Sequence, residues 1–98
     1  MYYTTASVKV RFEWDPAKAA SNKQKHGVSF TEAARCFDDD HGVYFADATV
    51  AERFVLIAYS NRQRLVLTIH AELDGNRVRI ISARKTTSHE RRQYEEGE

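Results

Sequence analysis

Four basic side chains late in the chain, Arg64, His70, Arg79 and Lys85, have spacing that suits one surface. They fall in two alternating runs, Arg64–Ala71 and Arg77–Ala83, joined through Asp74-Gly75, a common hairpin turn. With a two-residue loop, Leu73 faces Asn76, and His70 then opposes Arg79, Thr68 opposes Ile81, Val66 opposes Ala83 and Arg64 opposes Lys85. Strand side chains alternate, so these residues share one face. The other face sets Leu65, Leu67 and Ile69 against Arg84, Ser82 and Ile80 and reads as core, with Arg84 close enough to the strand end for its long side chain to reach the rim. A three-residue loop breaks this parity.

Two guanidinium groups, an ammonium and an imidazole on one face suit phosphodiester chemistry. Guanidinium forks bind phosphate through two hydrogen bonds and offset the charge that grows on a transferring phosphoryl group. An imidazole titrates near neutrality and moves protons to or from a ribose 2′-hydroxyl or a leaving oxygen. RNA carries its own nucleophile in that hydroxyl, so metal-free cleavage needs little more. The plainer alternative is a solvent-facing sheet decorated with long polar side chains.

Other candidates have simpler explanations. Lys25-His26-Gly27 ends a helix, where cations favour the dipole, although Lys25 could also support an RNA contact. Asp38-Asp39-Asp40-His41 has metal-ligand residue types, yet adjacent acids in a turn are usually solvated. Cys36 stands at helical spacing among Ala33 and Phe37 and reads as core, as do Trp14 and Phe30. Arg91, Arg92 and Tyr94 either extend a basic patch or form a solvated helix face. There is no glycine-rich phosphate loop and no nucleophile elbow.

These residues need a scaffold, and the pattern supplies one. Val8–Trp14 alternates as a strand, and Asp15-Pro16 caps and opens a helix that runs to about His26 and stops at Gly27. Ser29 and Glu32 are spaced as a capping box for a short second helix. Short runs at 43–45, 54–59, 64–71 and 77–83 follow as strands, and Thr87–Glu90 is a second capping box opening a last helix. The order β-α-α-β-β-β-β-α predicts a small α+β domain, helices packed on an antiparallel sheet.

Length and composition agree. The chain has 98 residues, 42% hydrophobic and 30% charged, which holds one domain over 1–98, with residues 1–10 a partly ordered N-terminal extension and 95–98 an acidic tail. No apolar run approaches the ~18 residues of a membrane span, and the N-terminus lacks signal-peptide features, so a cytoplasmic location is expected. One cysteine excludes a disulfide framework or a cysteine-rich zinc site. The formal net charge of +1 conceals a layout in which residues 61–92 hold eight basic and three acidic side chains. Such asymmetry points to a polyanion-binding surface.

The order Phe12-Glu13-Trp14-Asp15, Lys25-His26-Gly27-Val28-Ser29-Phe30, Glu32-Ala33, Glu52-Arg53, Arg64-Leu65-Val66, Arg79-Ile80-Ile81-Ser82-Ala83-Arg84-Lys85 and Glu90-Arg91 resembles the BrnT family of toxins from bacterial type II toxin–antitoxin systems. The resemblance covers about residues 11–96. It implies a RelE-like ribonuclease fold and a toxin that cleaves RNA and stops translation, with no cofactor. It also implies a BrnA-type antitoxin partner with a ribbon-helix-helix DNA-binding domain, which carries the complex to its own promoter, and, because such domains dimerise, a 2:2 assembly is the expected stoichiometry. The family's basic and polar positions fall on Lys25, Arg64, His70, Arg79, Ser82, Arg84 and Lys85. The sequence departs from the family at Gln63, where glycine is frequent, and at Glu72-Leu73, where a basic residue often stands.

The resulting expectation is a metal-independent endoribonuclease in which His70 is the acid–base group. Arg64, Arg79 and Arg84 hold phosphate, and Lys25, Ser82 and Lys85 support RNA binding. On this expectation Arg64→Ala or Arg79→Ala lowers activity without unfolding the domain. The alternative is a non-catalytic, degenerate partner of a DNA-binding antitoxin that acts only in transcriptional autoregulation.

Overall fold

The computed structural model describes residues 2–5 and 8–97. Met1, Ala6, Ser7 and Glu98, which the expected extension and acidic tail include, lie outside the described residues. Among the described residues the elements are β1 (Tyr2–Thr5), β2 (Val8–Glu13), α1 (Pro16–His26), α2 (Phe30–Arg35), a 3-10 turn at Cys36–Asp38, β3 (Val43–Ala46), β4 (Arg53–Tyr59), β5 (Leu65–Leu73), β6 (Arg77–Lys85) and α3 (Ser88–Glu96). The expected α+β order is present, with β1 added ahead of it. The strands form one sheet in the order β1-β2-β6-β5-β4-β3, antiparallel except for a parallel ladder between β2 and β6.

Local chemistry sets the helix ends. The Asp15 carboxylate accepts the Ala17 amide at 2.8 Å, and Gly27, at φ +73°, closes α1 in the left-handed conformation that glycine adopts without strain. Thr87 and Glu90 form the full reciprocal capping box of α3. At α2 only half of that motif exists: Ser29 Oγ accepts the Glu32 amide at 3.0 Å, while the Glu32 side chain turns elsewhere.

The β5–β6 turn corrects the expected register. Asp74, Gly75 and Asn76 make a three-residue connection, with Gly75 at φ +73°, Asn76 at φ +58° and Leu73 facing Arg77. His70 therefore opposes Ile80, Thr68 opposes Ala83 and Val66 opposes Lys85, with a bulge between Ile69 and His70. One extra loop residue reverses the parity. His70, Thr68 and Val66 now face the core under α1 and α2, with Phe12, Leu56, Val78 and Ile80. The opposite face carries Val55, Ile57, Leu65 and Leu67, against which Ile69 and Tyr94 of α3 pack.

β2 ends at Glu13, so beyond Arg79 the outer edge of β6 has no strand partner. Asn22 of α1 fills that place. Its side-chain amide donates to the Ala83 carbonyl at 2.8 Å and accepts the Ala83 amide at 3.1 Å, and it also donates to the Val28 carbonyl at 3.0 Å. The contact fixes α1 along β6 and brings its C-terminal end toward the β4–β5 turn. No helix among the described residues is long and apolar enough to cross a membrane.

Candidate functional site

The β4–β5 turn holds the centre of the site. The Ser60 amide donates to the Arg64 carbonyl and the Gln63 amide to the Ser60 carbonyl, both at 2.9 Å, and Gln63 sits at φ +59°, a conformation glycine adopts more easily. Beneath the turn lies Glu32, a buried carboxylate with 4% exposure. Arg64 Nε donates to its Oε2 at 3.0 Å and Nη2 to its Oε1, while Nη2 also donates to the Gly27 carbonyl at 3.0 Å. Ser60 Oγ donates to Glu32 Oε2 at 2.7 Å, and Arg62 Nη1 stands 3.9 Å from Oε1. The Arg64 guanidinium holds the Glu32 carboxyl below the usual carboxylate range, and Glu32 raises Arg64 in return. Arg64 Nη1 makes no hydrogen bond among the described residues.

Above this pair opens a cleft of about 320 Å³ lined by Gln63, Arg64, Leu65, Lys85, Thr86 and Arg91. Three of the lining residues are cations and none is an acid. Arg91 Nη1 donates to the Tyr59 hydroxyl at 3.1 Å. The Gly27–Arg64 bond brings the end of α1 to the same place, with Lys25 exposed and His26 half-buried. Such a cleft suits a phosphate ester: Lys85, Arg91 and the Arg64 nitrogen that Glu32 leaves unused present donors where the lining carries no carboxylate.

Of the residues expected from the sequence, the fold brings Arg64 and Lys85 together, while Lys25 lies on α1 two residues before the Gly27 carbonyl that Arg64 holds and does not line the cleft. His70 is not with them. It is 0% exposed, with Phe37 at 4.9 Å and Phe54 and Tyr44 at 6.1 and 6.2 Å between ring centroids, so neither solvent nor RNA reaches it. Burial pushes its imidazole below the ordinary value. Arg79 points to the opposite face and donates to Glu13 Oε2 at 3.1 Å, while Arg77 takes Oε1 at 3.0 Å. Arg84 also faces away, with both terminal nitrogens on Glu90 at 2.8 Å. Ser82, half-buried, sits opposite Ile69 at the bulge.

Cys36 is buried, its thiol pushed up to about 12 by burial and by nearby Glu32 and Asp39. Asp39 holds structure together: its carboxylate accepts the His41 and Tyr59 amides at 2.9 Å each and the Tyr94 hydroxyl at 2.8 Å. Among the described residues no group of three or more potential ligands converges on a metal position.

Sequence reasoning did not assign a role to Glu32, since the Ser29–Glu32 spacing reads fully as a cap. Its partner is 32 positions away, and only the buried surroundings Ala33 and Ala34 hint that a carboxylate there needs a cation. Tyr59 closes an apolar strand run, and its exposed ring beside Arg91 carries no sequence signal.

Comparison with known proteins bears on the family and the fold. The family described as the ribonuclease toxin, BrnT, of type II toxin–antitoxin systems matches over residues 14–90, a span that holds Glu32, Arg64 and Lys85. Among solved structures, the 1.1 Å crystal structure of the Brucella abortus ribonuclease toxin, BrnT, is similar with a TM-score of 0.65 and 22% identity, over 81% of this chain and 99% of that one. At that identity the likeness shows the fold. No curated protein matches the chain. The family match over most of the sequence, on the fold just described, means that the chain belongs to the BrnT family of ribonuclease toxins of type II toxin–antitoxin systems, whose members act with an antitoxin partner.

Proposed function

We propose that the chain is a metal-independent endoribonuclease that works at the Arg64–Lys85–Arg91 cleft. The carrying observation is the convergence of three cations there with no lining carboxylate. The 2′-hydroxyl of the RNA attacks its own phosphate, the P–O5′ bond breaks, and the products are a 2′,3′-cyclic phosphate and a free 5′-hydroxyl. Arg64 Nη1 and Arg91 offset charge on the phosphoryl oxygens, and Lys85 donates the proton to the leaving oxygen. The proton-taking role passes from His70, sealed in the core, to His26, which adjoins the Gly27 carbonyl held by Arg64. Arg79 and Arg84, held on Glu13 and Glu90, serve the fold.

The family supports an antitoxin partner; we propose that it is a BrnA-type antitoxin with a ribbon-helix-helix domain, binding promoter DNA for the complex in a 2:2 assembly in the cytoplasm. The test of the catalytic reading is cleavage of bulk RNA by the purified chain in excess EDTA, beside Lys85→Ala and His26→Gln. Cleavage that survives EDTA and falls about tenfold or more in each variant supports it. Loss in EDTA ends metal independence. The capture of Arg79 and Arg84 by carboxylates favours a second reading, a non-catalytic binding partner. That reading requires a folded chain which turns over no RNA and arrests no growth.

A further inference from the structure

The basic cleft ends at Tyr59, whose ring is 37% exposed. Tyr59 stands opposite Leu65, a cleft residue, across the β4–β5 ladder, and its hydroxyl accepts from the cleft's Arg91 at 3.1 Å. Perpendicular packing on Tyr94, with centroids 5.3 Å apart, fixes the ring. Asp39 tightens the arrangement by accepting both the Tyr59 amide and the Tyr94 hydroxyl.

Tyr59 also lines a second hollow of about 280 Å³, shared with Arg35, Asp38, Asp39, Ser60 and Asn61. Through its hydroxyl bond to Arg91, Tyr59 links two hollows of opposite character, one with three cations and one with two carboxylates and a single arginine. Arg35 Nε stands 3.8 Å from Asp38 Oδ2, and with one arginine against two carboxylates the second hollow still disfavours a phosphate. A nucleobase is uncharged, stacks on an aromatic ring and offers N–H donors to a carboxylate. The exposed Asn61 side-chain amide makes no hydrogen bond among the described residues, and it carries both a donor and an acceptor.

We propose that Tyr59 and Asn61 form a base-recognition subsite: an unpaired nucleobase stacks on Tyr59 and is read by Asn61 and Asp38, next to the phosphate held in the basic cleft. The proposal rests on that cleft being the RNA phosphate site and adds the substrate class. The target is single-stranded RNA, since a paired base cannot leave its stack to enter the hollow. The carboxylate favours bases with an exocyclic amino group over uracil, whose two carbonyls meet it unfavourably.

The test combines binding and cut-site mapping. Affinity is measured by fluorescence anisotropy on short labelled single strands with 2′-fluoro sugars, and cut sites are mapped on one long transcript. Tyr59→Leu is expected to weaken binding about tenfold and flatten the base preference of the cuts, whereas Tyr59→Phe keeps the stack and stays within about twofold of wild type. Asn61→Ala, in an exposed turn, is expected to change which base is preferred. Lys85→Ala weakens binding evenly across sequences and lowers its salt dependence. Wild-type affinity and cut profile in both Tyr59→Leu and Asn61→Ala, with Lys85→Ala impaired, overturn the subsite and leave the cleft reading standing. Cuts by wild type without base preference also overturn the subsite. A wild-type chain that binds no RNA overturns the cleft reading and the subsite together.

Discussion

Arg64 and Glu32 form a clasp that joins the cleft to the core: one guanidinium holds a buried carboxylate through two nitrogens and the end of α1 through the Gly27 carbonyl. The same residue thus presents Nη1 to the cleft and keeps a buried charge paired. Arg64→Ala is expected to lower both activity and stability, because it leaves Glu32 buried with only Ser60 and a distant Arg62. A cost of about 2–3 kcal/mol follows from the general penalty of an unpaired buried carboxylate. Glu32→Gln, which keeps an acceptor for the fork and removes the charge, is expected to cost about 1 kcal/mol less. Urea midpoints of the two variants check the order, and equal stability of Arg64→Ala and wild type contradicts the clasp.

The Asn22 amide completes the open edge of β6, so its loss orphans the Ala83 amide and carbonyl and the Val28 carbonyl. Asn22→Ala is expected to destabilise by about 3 kcal/mol, a fall of roughly 12–24 °C in a domain of this size. Asn22→Asp preserves shape but turns an acceptor toward two carbonyls, so it should cost at least as much. A melting temperature for Asn22→Asp near wild type would show that the amide donors contribute nothing.

Arg84 and Glu90 tie the end of β6 to the first turn of α3, a helix with no fully buried residue. Arg84→Ala is expected to loosen α3, which carries Arg91 and Tyr94, while leaving the sheet intact. Amide exchange within α3 should speed up about tenfold, equivalent to about 1.4 kcal/mol, and RNA affinity should fall with the displacement of Arg91. Arg84→Lys restores little, since an ammonium cannot match a two-pronged carboxylate contact. Unchanged α3 exchange in Arg84→Ala would exclude the tie.

Much of this fold was legible because it rests on local signals. Asp15-Pro16 and Gly27 bound α1, Thr87 and Glu90 cap α3, and alternation marks β4 to β6. The site was less legible because it depends on one turn. Asp74-Gly75 reads as a two-residue hairpin turn, yet Asn76 joins the connection, since asparagine tolerates the left-handed conformation that it adopts there. That single residue moves His70 from the arginine-bearing face into the core. Arg64 and Lys85 still meet, since both stand at the same end of the sheet whatever the parity. Glu32 and Tyr59 owe their roles to long-range contacts with Arg64 and Arg91, which no local pattern announces.

The position of His70 sets the pH response of the fold. Its ring nitrogens make no hydrogen bond among the described residues, and Nε2 stands 3.5 Å from Glu72 Oε2. Burial lowers its proton affinity, while Glu72 opposes that shift. Below the ordinary imidazole value of 6.5 the unfolded chain therefore binds a proton that the folded chain resists. Stability from this residue is complete above that pH and is lost as pH falls, with a slope of up to about 1.4 kcal/mol per unit. The carboxylates held low by partners, Glu32 and Glu90 among them, add further loss only under more acidic conditions, below their ordinary value of 4.5. Melting followed from pH 7.5 to 5 should show the histidine slope in wild type and little of it in His70→Phe, whose ring suits the aromatic surroundings. In Glu72→Gln the slope should steepen, because the group that favours the charged imidazole is gone. A flat wild-type profile across that window would mean that His70 titrates alike in the folded and unfolded chain.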